Sequence, residues 1–216
     1  MHSLMHGLRR NTTRTLLLAA CAVGGSILLN GSLARDARGQ GTYRSGLDPR
    51  VAAQAESYTG DRFRFETETP RGAHVVARVR PRPEALHAID DGLAALFAVA
   101  RRHGYRAHVN YADYTVFIAR ADRTRDSTGA YSPDIAVNAP TYAGSVYDQG
   151  GYIYAAGMVS SYQPSALIVA EHDRDWQHLA NVVRYEGEHL VLYYNDRARF
   201  AATSDHTRGG AHPILQ

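Results

Sequence analysis

At 216 residues, 44% of them hydrophobic and 21% charged, the chain can bury the core of one ordinary domain and is not of disordered composition. Its 24 basic residues, all arginine, nearly balance 21 acids for a net charge of +3, and no dense basic run marks a nucleic-acid partner. The single cysteine, Cys21, falls in the leader, which excludes disulfides, thiol nucleophiles, cysteine-ligated zinc and iron–sulfur clusters from the folded body.

Residues 1–40 read as an export segment. Arg9, Arg10 and Arg14 form a positive start without an acid, and an apolar run follows from Leu16 to Leu29. Three fates are open. Leu18-Ala19-Ala20-Cys21 resembles a bacterial lipobox, in which Cys21 is lipidated, although the residues after it stay apolar. Ser32-Leu33-Ala34 is a small-x-small cleavage site that releases a soluble protein. An uncleaved anchor is the third, but this run is glycine-interrupted and shorter than the roughly 20 apolar residues a span needs. All three place the body outside the cytoplasm, as an envelope lipoprotein, a membrane-anchored protein, or a secreted or periplasmic one. The leader or its lipid is then the link to the membrane.

Residues 41–60 are a polar tether with a short helix around 49–58. The period-two alternation of 62–67 and the run 74–80 predict strands, joined as a hairpin across Thr69-Pro70-Arg71-Gly72. Pro83 and Glu84 open the clearest helix. Leu86, Ile89, Leu93, Leu96, Phe97 and Ala100 form its buried stripe, Arg101, Arg102 and His103 its last turn, and Gly104 its stop. His87 and His103 read as solvated. Strands are expected at 108–111 and, as a continuous apolar run, at 114–119. The acids of the loop 122–133 match no calcium-loop spacing and read as turn chemistry. Short strands at 135–137 and 152–159 precede a helix over 171–194, which 196–202 extends or follows as a second helix. The tail, 205–213, carries His206 and His212 around a Gly-Gly turn. The expected fold is one α+β domain, 61–216, with a mixed sheet, a backing helix and a functional helix near the C-terminus.

That last helix holds the chain's best chemical constellation. At about 100° per residue, Leu179, Val182, Val183, Leu190 and Tyr193 form an apolar stripe with Glu186 in its middle and His189 one turn on. A carboxylate aimed at a core costs roughly several kcal/mol unless it is paired, protonated or used. The sequence Tyr185-Glu186-Gly187-Glu188-His189 resembles the His-Glu-x-x-His helix of the zincin metallopeptidases, and the order of elements from residue 62 on is similar to theirs. The resemblance implies that Glu186 is the general base and His189 a zinc ligand, with Tyr185 standing where the first ligand histidine belongs. Tyr185 and Glu186 thus form the expected catalytic pair. The remaining ligands would come from downstream, where Asn195, Asp196, Asp205, His206 and His212 are the donors. Zinc on His189, His206 and His212, with an open position for water, has acceptable ligand chemistry. A peptide substrate is then expected to lie extended against the strand near 150–159.

A plainer account stands beside this one. Glu186 pairs with Arg184, Arg197 or a backbone amide, His189 is a satisfied buried histidine, and His212-Pro213 caps a docked tail. The chain is then a non-catalytic envelope protein that binds or scaffolds a partner. No Gly-x-Ser-x-Gly occurs, Glu186 and Glu188 point to different sides of a helix, and no phosphate-cradling glycine loop is present.

Overall fold

The computed structural model describes residues 47–121, 135, 157–158, 166–171, 175–203 and 213–216, all within the unit Thr42–Gln216. The expected export segment with Cys21 lies outside these residues, as do His206 and His212. Helix α1, Pro49–Thr59, begins at Asp48, whose side chain accepts the Arg50 N–H at 2.9 Å, and ends on the left-handed Gly60. Its Ala52 and Ala55 are buried with Phe63, Val76 and Phe117. The stretch expected as a tether therefore contributes to the core from residue 49 on, because its small alanines let the helix sit directly on the sheet.

Strands β1 (Phe65–Glu68) and β2 (His74–Ala77) form the expected antiparallel hairpin, with Gly72 at φ 91° in the turn. Helix α2, Pro83–Arg102, crosses over to β3, Thr115–Ala119, which lies parallel to β2. Residues 108–111 are not a strand. His108 has a left-handed backbone, and Tyr111–Asp113 is a 3₁₀ turn closed by reciprocal Asn110 and Asp113 hydrogen bonds. Ile135 is buried and bridges Ala121. Strand β4 is Gly157–Met158, and β5, Ala166–Ala170, pairs parallel with β3 and antiparallel with β4. Helix α3 is Trp176–Asn195 and α4 is Arg197–Thr203. Helix α3 starts later than the sequence suggests because Glu171 continues the line of β5, its N–H bonded to Ala119 O at 2.7 Å.

The fold is α+β, with a mixed sheet in the order β1-β2-β3-β5-β4. Alternation along the central strands sorts their side chains onto two faces. Val75, Ala77, Val116, Ile118, Leu167 and Val169 face α2 and α3. Val76, Phe117, Ala119, Ala166, Ile168 and Ala170 face α1. Helices α2 and α3 lie side by side on the first face, and two glycines permit their closeness. A Cβ on Gly92 would come within 2.4 Å of Ala180 O, and one on Gly187 within 2.5 Å of Leu96 Cδ2. Among the described residues no helix is long and apolar enough to cross a membrane.

Candidate functional site

Asp175 caps α3 by accepting the His178 N–H at 2.9 Å. Over its second half the helix is enclosed: every residue from Gly187 to Tyr193 is buried. The helix therefore has no single apolar stripe there, and this changes which carboxylate is the internal one. Glu186 is only partly buried, its side chain 20% exposed, whereas the Glu188 side chain is wholly inside. The expectation that Glu186 occupies the middle of the core stripe is corrected accordingly. A two-sided helix wheel assumes that one face meets water. Here residues 213–216 cover that face and shut Glu188 in.

Glu188 pairs with Arg184 one turn earlier and accepts the N–H of Ile214. Arg184 donates in turn to Leu215 O at 2.7 Å, and Arg199 of α4 donates to Ile214 O at 2.6 Å. Leu215 is fully buried in the main core. The Arg184–Glu188 pair thus satisfies itself and clamps the backbone of the tail, which is what a buried ion pair requires to be tolerable. Arg184 is committed to Glu188 here, and Arg197 lies over the Tyr193 ring with its guanidinium carbon 3.3 Å from the centroid. The docked tail of the plainer account is present over residues 213–216.

Glu186 and His189 remain together on the neighbouring side of the helix. His189 is buried, 1% exposed, and its Nε2 lies 3.9 Å from Glu186 Oε2. Tyr185 packs against the Arg184 guanidinium, 4.8 Å from carbon to ring centroid. Of the expected zinc ligands His189 alone is among the described residues, and there no group of three His, Cys, Asp or Glu side chains is placed to hold an ion. The imidazole and partly exposed carboxylate one helical turn apart are chemically suited to one ligand and one base.

The downstream donors Asn195 and Asp196 have other duties. Asn195 accepts the Arg106 and Ala107 N–H groups at 3.0 and 2.9 Å and donates to Ala107 O at 2.7 Å. Asp196 caps α4 through Arg199 N and accepts the Tyr105 hydroxyl at 3.2 Å. Next to them the ring of Tyr194 stacks on His108 with centroids 3.6 Å apart. The buried Tyr114 hydroxyl donates to His108 O at 2.9 Å, and burial pushes its pKa well above the usual phenol value. Sequence reasoning did not single out Arg184, Glu188 or Arg199 as a cluster. The i,i+4 spacing of Arg184 and Glu188 was the available signal. No family model, no curated protein and no solved structure matches the chain.

Proposed function

We propose that the chain is an exported, zincin-like, metal-dependent hydrolase acting on peptides in the cell envelope. The observation that carries this reading is the Glu186–His189 pair: a buried imidazole and a partly exposed carboxylate, one turn apart, on the helix that follows the last strand of the sheet. The docking of residues 213–216 on the same helix supports it, because this anchors the chain that carries His206 and His212. Strand β4 is at the sheet edge beside β5 among the described residues, the position at which an extended peptide would add.

His189, His206 and His212 would hold the metal. Zinc, when bound, lowers the pKa of water toward about 7. Glu186 would accept the proton, a role that its partial exposure supports. The second reading, a non-catalytic envelope binding module, is favoured by Tyr185, which stands at the first ligand position and is occupied by Arg184.

Metal analysis of the purified full chain tests the proposal. Wild type is expected to carry stoichiometric zinc, and His189→Ala, His206→Ala or His212→Ala to lose at least tenfold in affinity. Glu186→Gln should keep the zinc and lose peptide hydrolysis. A folded wild type that takes up no zinc would overturn the metallohydrolase and leave the binding module.

A further inference from the structure

At the end of the sheet where β2, β3 and β5 finish, arginines line up on neighbouring strands. Arg64 leads into β1, and its N–H bonds Ala77 O at 3.0 Å. Arg78 follows β2, and its N–H bonds Ile118 O at 3.2 Å. Arg120 follows β3, and its N–H bonds the buried carboxylate of Asp61 at 2.7 Å. Strands are spaced about 4.8 Å apart, so these positions form a short row. Arg80 and Arg82 carry it on to the start of α2. Arg64, Arg80, Arg82 and Arg120 are exposed, and among the described residues no carboxylate pairs with their guanidinium groups, although Asp61 lies against the backbone of Arg120.

The neighbouring acids are mostly engaged. Glu171 pairs with Arg78 at 2.6 Å, Glu56 pairs with Arg62, and Glu66 lies 2.8 Å from His74. Glu84, in the first turn of α2, and Asp175, the cap of α3, face solvent. Among the described residues Asp61 offsets Arg120, and at the Phe65 end of the row Arg64, Arg80 and Arg82 outnumber the exposed Glu84.

The large hydrophobic side chains that the described residues leave exposed lie in the same place. They are Phe65, 38% exposed, and Val79, 42% exposed. Phe65 is in register with Ala77, two residues before Val79, and the Arg80 guanidinium carbon is 6.0 Å from the Phe65 centroid. Guanidinium groups beside uncovered apolar side chains match one surface in particular. Anionic headgroups take the arginines, and the boundary just beneath them takes the ring and the valine. A nucleic acid would use the arginines and stack on Phe65, but would leave Val79 with nothing to do.

We propose that Arg64, Phe65, Val79, Arg80 and Arg82, with Arg120 beside them, form a face that docks on an anionic phospholipid bilayer. The proposal stands whether or not His189 holds a metal. Its test must separate this face from the apolar leader, which has affinity for membranes of its own. The full chain with Cys21→Ser and Val79→Cys carries a polarity-sensitive fluorophore at residue 79, and a parallel protein with Cys21→Ser and Ala95→Cys carries it on the exposed side of α2.

With vesicles containing phosphatidylglycerol, emission from residue 79 should shift to the blue. It should not shift with pure phosphatidylcholine, and residue 95 should stay in water in both. Adding Arg80→Gln and Arg82→Gln should weaken the apparent affinity at residue 79 by roughly twenty-five-fold, about fivefold per arginine. Circular dichroism of each protein confirms that it is folded. The proposal fails if residue 79 stays in water, shifts no more than residue 95, or shifts equally in the glutamine variant. A response to an oligonucleotide but not to vesicles would also overturn it.

Discussion

His108 combines a left-handed backbone, φ 54°, with a face-to-face stack on Tyr194 in which the rings are 8° from parallel. A non-glycine residue keeps that conformation when its surroundings hold it there, and the Tyr114 hydroxyl on its carbonyl is one such hold. Burial depresses the imidazole pKa, against an upward pull from Asp113. The unfolded chain, with an ordinary histidine near pKa 6.5, therefore binds the proton first as pH falls, and stability drops on acidification below about that value. Above it both states are neutral and His108 contributes no pH dependence. Asparagine tolerates the left-handed region but does not titrate, so His108→Asn should lose the stack's contribution at neutral pH and show a shallower acid slope. Urea unfolding of both proteins across this range checks it: the stability gap should narrow as pH falls, and parallel curves would rule out the titration. At the same single-residue scale, helical periodicity points to Glu186 as the core carboxylate, whereas Glu188 is the buried one. A periodic stripe locates the face that meets the sheet and α2, and it cannot foresee a distant segment closing over the other face. Glu188 is buried by Leu215 and Ile214, which lie beyond the reach of helical periodicity.

The pairing of α2 with α3 depends on two glycines that are not equivalent. A methyl group on Gly92 meets the backbone oxygen of Ala180 at 2.4 Å and Val183 Cβ at 2.9 Å, and neither can move without displacing the helix. A methyl on Gly187 meets the tip of Leu96, whose rotamer can change. Alanine gains up to about 1 kcal/mol over glycine in a helix, and overpacking costs about 1–3 kcal/mol. Gly92→Ala should therefore destabilise by about 1–2 kcal/mol net, while Gly187→Ala should lie near neutral, as thermal or urea unfolding will report. Equal effects would mean that the crossing is softer than its contacts imply. Elements with their own local signals were legible: the hairpin through its turn, α2 through its stripe and end charges, and β3 through its apolar run. Strand β5, Ala166-Leu167-Ile168-Val169-Ala170, is a comparable apolar run but lacks flanking turn signals as clear as those of the hairpin. Five buried residues carry no period, and only pairing between β3 and β4 makes them a central strand. Residues 108–111 have strand-like composition, yet tertiary contacts of His108 and the Asn110–Asp113 turn override it.

On the scale of the whole molecule, residues 213–216 close the core and tie α3, α4 and α2 together. Leu215 fills the main cluster, Arg184 and Arg199 hold the carbonyls of Leu215 and Ile214, and His103 Nε2 lies 3.0 Å from Gln216 O. Burial of Leu215 contributes about 1.5–3 kcal/mol, and each charge-assisted hydrogen bond up to a similar amount. Deleting the segment should cost several kcal/mol and admit water to Glu188. The cost of disturbing Glu188 must then depend on the tail. In the intact chain Glu188→Gln removes the charge that balances the buried Arg184 and weakens the acceptor for Ile214, which should cost about 3 kcal/mol. In the truncated chain Arg184 is hydrated, Ile214 is gone, and the same substitution should cost much less. A double-mutant cycle by urea unfolding is therefore expected to give a coupling of about 1–3 kcal/mol. Additive costs would show that Glu188 serves only Arg184 and that the tail is held by Leu215 alone. Zinc measured in the same proteins extends the test to the candidate site. If His206 or His212 completes it, loosening their anchor must lower zinc affinity even though neither histidine has been changed.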